Sequence, residues 1–313
     1  MKRIIVHQEP LKKNYSIRSR LSIAYLFVIT CNIFVLIVPY YVWKSHDENT
    51  DNFWMTHSSY REQPDVSFLY KLIIVLQATS RNDRGKEIYV STIDSVNALR
   101  HDTFRMSKIQ SKEVDSNLDG IVDWFELEVD IPLMEDEEVK SMQALAFFDY
   151  QLKHRVKIGM ESMAYVSIDS SLPLSGYDTE GDLIFRQTNP VGSRGYLSTT
   201  LYANETPLVR TDMYRASNSN VGDILSRYRS RDIAADYVER YPTKRLDMGE
   251  FRHGSGRNYR FKMKIRVPNQ DIRYIPNLME VLKNAWVKYV SVAILCWVLL
   301  DRFQTFVFSH HWV

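Results

Sequence analysis

The sequence predicts two transmembrane helices flanking a mainly-β exoplasmic domain, an antiparallel β-sandwich with one short helix. Three observations predict it: a charge-free run of 23 residues near the N-terminus, a second apolar segment near the C-terminus, and period-two alternation of apolar and polar residues in between. The 313-residue chain is 45% hydrophobic and 25% charged, with a mean hydropathy of −0.30. Those values exclude a polytopic transporter, whose spans would make the mean positive. With 11 Gly, 10 Pro and no dominant repeat, collagenous and low-complexity readings fail as well.

Residues 1–20 form a basic tail. Lys2, Arg3, Lys12, Lys13, Arg18 and Arg20 stand against Glu9 alone, so the tail carries +5 and the remainder −3 of the total +2. A mildly acidic body offers no footprint for nucleic acid, and the basic residues call for a local explanation. Residues 21–43 supply it: LSIAYLFVITCNIFVLIVPYYVW is 23 residues without a charge, about 34 Å as a helix, enough to cross a bilayer. The run ends without the small residues of a signal-peptidase site, so it reads as a retained anchor. By the positive-inside rule the tail is cytosolic, since Lys44 and Arg61 are the only cations in the twenty or so residues after the span.

Residues 44–280 are the exoplasmic domain. Tyr259, Phe261, Met263, Ile265 and Val267 alternate with Asn258, Arg260, Lys262, Lys264 and Arg266, which is the pattern of a half-solvated strand. Val156, Ile158, Met160, Ala164, Val166 and Ile168 share one face of another strand, and Phe125, Leu127, Val129 and Ile131 one face of a third. Residues 66–76 read as a more buried strand. Turn clusters at 170–176, 189–195 and 254–256, with the solvated alternation, point to antiparallel pairing. Residues 221–237 read as the one helix, with Arg227, Arg229 and Arg231 on its solvated face.

Residues 281–300 form the second span. The charge-free stretch Tyr289–Leu300 has only 12 residues. Extension to Val281 adds Lys283 and Lys288, whose stems snorkel, and Trp286, an interfacial anchor beside Tyr289. Residues 301–313 are then a short cytosolic tail. Cys31 and Cys296, the two cysteines of the chain, both lie in spans, so the exoplasmic domain has none and is held by burial alone. Asn204-Glu-Thr is a glycosylation sequon on the exoplasmic side, whereas Asn14-Tyr-Ser lies in the cytosol and stays unmodified.

One local motif carries possible chemistry. Asp115, Asn117, Asp119, Ile121, Asp123 and Glu126 occupy positions 1, 3, 5, 7, 9 and 12 of a calcium loop, with Gly120 at position 6. Hard oxygen donors in one turn suit a structural Ca2+. The flanking helices of an EF-hand are missing, however, and Asn-x-Asp-Gly is equally strong turn chemistry without metal; both readings stand. Signatures of zinc proteases, α/β-hydrolases, phosphate loops and dinucleotide folds are all missing, so the sequence predicts no enzyme and no cofactor beyond that possible ion.

Three stretches together resemble the transmembrane protein 231 family: Phe53-Trp54 through Ser58-Ser59-Tyr60-Arg-Glu62-Gln63-Pro64-Asp-Val66-Ser-Phe68, the loop from Asp115 to Asp123, and Ala285-Trp286-Val287-x-Tyr289-Val290-Ser291 with Phe306-Val307-Phe308. Their order and spacing match as well, while residues 170–250 match loosely. Relatives are expected to run on beyond Phe308 in a longer tail. The resemblance implies a non-enzymatic scaffold of the ciliary transition zone, part of the tectonic-like or Meckel-syndrome complex. Such a protein helps form the diffusion barrier at the ciliary base and supports cilium assembly and ciliary membrane composition. Its implied partners are tectonics, Meckel-syndrome complex members and the lipid bilayer. Ser58, Ser59, Tyr60, Glu62, Gln63, Pro64 and Phe68 form the candidate partner or docking segment, with strand packing as the alternative role. The competing classes are a two-span accessory subunit of a lipid-transporting pump and a channel subunit. Both are expected to carry disulfides, which a Cys-free domain lacks.

Overall fold

In a computed structural model of the chain, the described residues are 22–45, 54–80, 85–192, 207–208, 220–246 and 258–310. Contacts divide the chain into two compact units, one of both terminal segments and the other of residues 57–276. The terminal unit holds helix α1 (Ile23–Ser45) and helix α4 (Leu278–Ser309). Both are long and apolar enough to cross a membrane. Asn277 caps α4, its side chain accepting from Leu278 N at 2.7 Å, and the helix runs 32 residues, past both ends of the predicted span. The two helices pack antiparallel: Phe27 meets Phe303 and Phe308 at ring distances of 6.1 and 6.0 Å, and the Tyr289 hydroxyl donates to Leu36 O at 2.9 Å. Cys31, Ala285 and Val307 are buried, and most other apolar side chains of the pair face outward.

The second unit is mainly β. Its strands are β1 (Ser58–Glu62), β2 (Asp65–Thr79), β3 (Lys86–Ser91), β4 (Lys108–Val114), β5 (Trp124–Pro132), β6 (Glu138–Leu152), β7 (Ile158–Gln187), β8 (Val191–Gly192), β9 (Ile233–Leu246), β10 (Asn258–Arg266) and β11 (Gln270–Ile275). The larger sheet has the order β3-β2-β6-β7-β10-β5-β4, with β9 also pairing β7; the smaller is β1-β11-β8. The large sheet curls on itself. Phe125 of β5 and Phe148 of β6 sit 5.3 Å apart although two strands separate them in the sheet, and Tyr259 Oη of β10 lies 3.5 Å from Met142 Sδ of β6. The curl nearly closes, because the segment leading into β4 bonds to the outer edge of β3: Tyr89 N donates to Thr103 O at 2.9 Å and Arg105 N to Tyr89 O at 2.8 Å.

Inside the curl lies the main core, and the predicted alternation delivers it. Tyr259, Phe261, Met263, Ile265 and Val267 are all buried, as are Phe125, Leu127, Val129 and Ile131, and Ile158, Met160, Ala164, Val166 and Ile168. Each fully buried large side chain contributes roughly 1.5–3 kcal/mol. β2 is buried on both faces: Leu72, Ile74 and Leu76 point into the curl, while Ile73 and Val75 join a second cluster with Leu145, Phe147 and Met163. Helix α3 (Val221–Arg229) covers that cluster with Val221, Ile224 and Tyr228, spaced i, i+3, i+7.

Five expectations change. The helix predicted to Tyr237 ends at Arg229 and strand β9 starts at Ile233, because Ile233, Ala234 and Ala235 bury both faces of a strand, a pattern that a short helix shares. Arg231 is buried, not solvated; its Nη1 donates to Glu161 O at 2.9 Å and its guanidinium lies over the Tyr228 ring. A second short helix, α2 (Asp94–Leu99), joins the one foreseen. The predicted turn at 170–176 belongs to β7, which absorbs its change of phase in an irregular register around Ser175. Pairing is also not wholly antiparallel, since β10 runs parallel to β7 and β11 to β8. Alternation reports which face is solvated and not which way the neighbour runs, so the bare outer face of β10 concealed its parallel partner.

Candidate functional site

The predicted calcium loop lies between β4 and β5 and closes through its own backbone. Leu118 N and Gly120 N donate to the two oxygens of Asp115 at 2.7 and 2.8 Å, Asp119 N to Asn117 Oδ1 at 3.0 Å, and Ile121 N to Asp119 Oδ1 at 2.8 Å. Leu118 and Gly120 have φ of 60° and 87°, the left-handed turn geometry that Asn-x-Asp-Gly favours. Asp123 accepts from Ser116 N at 2.7 Å and from Gln63 Nε2 at 3.0 Å, and these bonds, that from Gln63 foremost, hold its carboxyl below the usual range. Glu126 lies on β5 and pairs with Lys262 Nζ at 2.5 Å. Among the described residues no three His, Cys, Asp or Glu side chains converge as a metal site.

The candidate docking segment forms β1, the connection to β2 and the start of β2. Tyr60 packs edge-on against Tyr274 of β11 at 5.5 Å, donates to Glu62 Oε2 at 2.8 Å and accepts from Val156 N at 3.2 Å. Burial raises its phenol pKa. Glu62 is 5% exposed, and its other oxygen accepts from Lys153 N and His154 N at 2.8 and 3.1 Å. Arg155 lies 5.4 Å above the Tyr274 ring. Pro64 and Phe68 are buried, Gln63 reaches Asp123, and Ser58 is half-buried; Ser59 and Arg61 face outward. Most of this segment thus ties the 153–156 turn to the small sheet. Asn204 lies outside the described residues.

Two arrangements escaped the sequence reading. On the outer face of the curl, Arg260, Lys262, Lys264 and Arg266 of β10 stand between Glu126, Glu128 and Asp130 of β5 and Asp178, Glu180 and Asp182 of β7, in register. Arg260 meets Asp130 at 2.9 Å and Arg266 meets Asp182 at 3.3 Å, while Arg240 and Arg245 of β9 extend the alternation to Asp182 and Asp178. The cations of β10 were visible in the sequence, but the acids that flank them come from distant strands. The second is Glu137, whose side chain is fully buried beside Arg105 (2.5 and 2.9 Å), Lys86 (2.9 Å) and Met134 N (2.8 Å). Arg105 before all holds its carboxyl down to about 2. Within the run Glu135–Glu138 nothing singles it out, since its burial depends on partners 30 or more residues away.

Two apolar terminal helices and a β domain without cysteine, whose polar groups largely pair with one another, define a two-span membrane protein with a folded body between its anchors. The chain belongs to the transmembrane protein 231 family, whose model matches residues 1–313. It is 31% identical to transmembrane protein 231 of Xenopus tropicalis, covering 97% of this chain and 91% of the relative. The Gallus gallus protein is 30% identical over 92% of this chain and 86% of its own, and the Homo sapiens protein 27% over 96% and 90%. Among solved structures a proton-activated chloride channel aligns over 90% of this chain and 96% of its own, at 7% identity and a TM-score of 0.27, too low to bear on fold or function.

Proposed function

We propose that the protein is a non-enzymatic membrane scaffold of the ciliary transition zone. In this reading it joins tectonics and Meckel-syndrome complex members in the diffusion barrier at the ciliary base. The observation that carries the reading is family membership over the whole chain, together with the resemblance that links this family to the transition zone. The architecture is compatible with it. α1 and α4 tether the β domain at both of its ends, both termini are cytosolic, and the basic tail meets anionic lipid or cytosolic partners. The domain is built to hold shape: two buried clusters, a nearly closed sheet and interlocked charge columns leave a stiff surface for partner domains. Since Tyr60, Glu62, Pro64 and Phe68 are committed to packing, any partner contact of their segment falls to its exposed residues, Ser59, Ser67 and Arg61, the last of which pairs with Asp271. The test is rescue: ciliated cells lacking their own family member should regain cilia when they express this chain. Failure to rescue at equal membrane levels, with a partial defect in the cells as control, contradicts the proposal.

A further inference from the structure

Asn32 is the tenth residue of α1, about 14 Å from the start of a helix about 34 Å long, and so sits near mid-bilayer in a spanning helix. Its side chain is exposed and has no hydrogen-bond partner among the described residues. It lies beside Cys31, which is buried, and shares its outward face with Ile33 and Leu36, 47% and 64% exposed, and with the half-buried Ile29. Thr30, the other polar residue of this stretch, satisfies itself by donating to Leu26 O at 2.9 Å. A primary amide offers two donors and an acceptor, and no water is available in hydrocarbon to bond them. Such a group raises the free energy of the isolated helix and lowers it when a second helix supplies a matching amide at the same depth.

From this we infer that α1 self-associates, with Asn32 of two copies hydrogen-bonded to each other across a two-fold axis along the membrane normal. A second copy is the occupant that fits, because every copy inserts with the same orientation and so presents Asn32 at the same depth. The amide is also complementary to itself, which a closed two-fold interface requires. The flanking residues Ile29, Ile33 and Leu36 follow the i, i+3/i+4, i+7 spacing that packs around such a contact, as a single buried Asn fixes register in a coiled coil. The inference needs only the membrane-spanning reading and is independent of ciliary location.

The experiment uses the full-length chain in phosphatidylcholine vesicles, with donor and acceptor fluorophores fused to its N-terminus and energy transfer followed as lipid is added. Wild type should dimerise. Asn32→Leu, which keeps the helix and its hydropathy, should need about tenfold more protein per lipid to reach half-maximal transfer. Asn32→Gln keeps the amide and should stay close to wild type. Monomeric wild type, an Asn32→Leu curve that overlays wild type, or an Asn32→Gln loss equal to that of leucine would each overturn the inference.

Discussion

At the residue scale, a few buried polar contacts are points where a single substitution is costly, within a fold held mainly by its apolar clusters. Glu137 is charged and enclosed by Arg105 and Lys86, so its removal strands two cations. Glu137→Ala should cost about 3–5 kcal/mol in urea unfolding followed by tryptophan fluorescence in detergent micelles. The pH dependence has a definite sign. The folded pKa of about 2 lies below the ordinary 4.5, so the contribution is complete above about 4.5 and is lost as pH falls through about 2. It amounts to about 3 kcal/mol, and Glu137→Gln should flatten this acid limb. Gly120, at φ +87° with open space around its Cβ position, carries a purely backbone requirement. Gly120→Ala should cost about 1 kcal/mol; the turn role alone requires the same loss with calcium and with chelator, and a structural ion requires a larger loss with calcium. The turn chemistry was legible because Asn-x-Asp-Gly acts locally. The buried acids were not, since only tertiary contacts distinguish Glu62 and Glu137 from the exposed acids beside them.

At the element scale, β7 is the organising strand: it pairs with β6 through its first half and lies between β9 and β10 through its second. Gly181 permits the closest of these approaches. A Cβ there would stand 2.3 Å from Val238 O and 2.7 Å from the Tyr237 ring. Gly181→Ala should therefore cost at least about 1–3 kcal/mol and loosen β9 first, seen as faster amide exchange across residues 233–241 than elsewhere in the sheet. Element types were readable where one face met water, as in β10 and β5, where Tyr259, Phe261, Met263 and Ile265 and Phe125, Leu127, Val129 and Ile131 proved buried. They were misread where both faces are covered or a bulge shifts the phase, as at Ile233–Ala235 and Ser175. Pairing order and direction lay beyond reach, because the partners of β10 come from positions about 80 and 130 residues away in the chain.

At the scale of the whole molecule, an ordinary mean composition divides into two apolar anchors and a polar, cysteine-free body, a division visible in the sequence because span length and charge are one-dimensional signals. If the body is exoplasmic, Asn204 should be glycosylated: endoglycosidase treatment should shift the protein on a gel, and Asn204→Gln should abolish the shift while Asn14→Gln leaves it unchanged. A scaffold confined to the transition zone is tested by super-resolution imaging of the fluorescently tagged full-length protein in ciliated cells beside a basal-body marker. A narrow band or ring just distal to the marker is expected. Uniform labelling of the plasma membrane, or retention in internal membranes with an intact β domain, would contradict it.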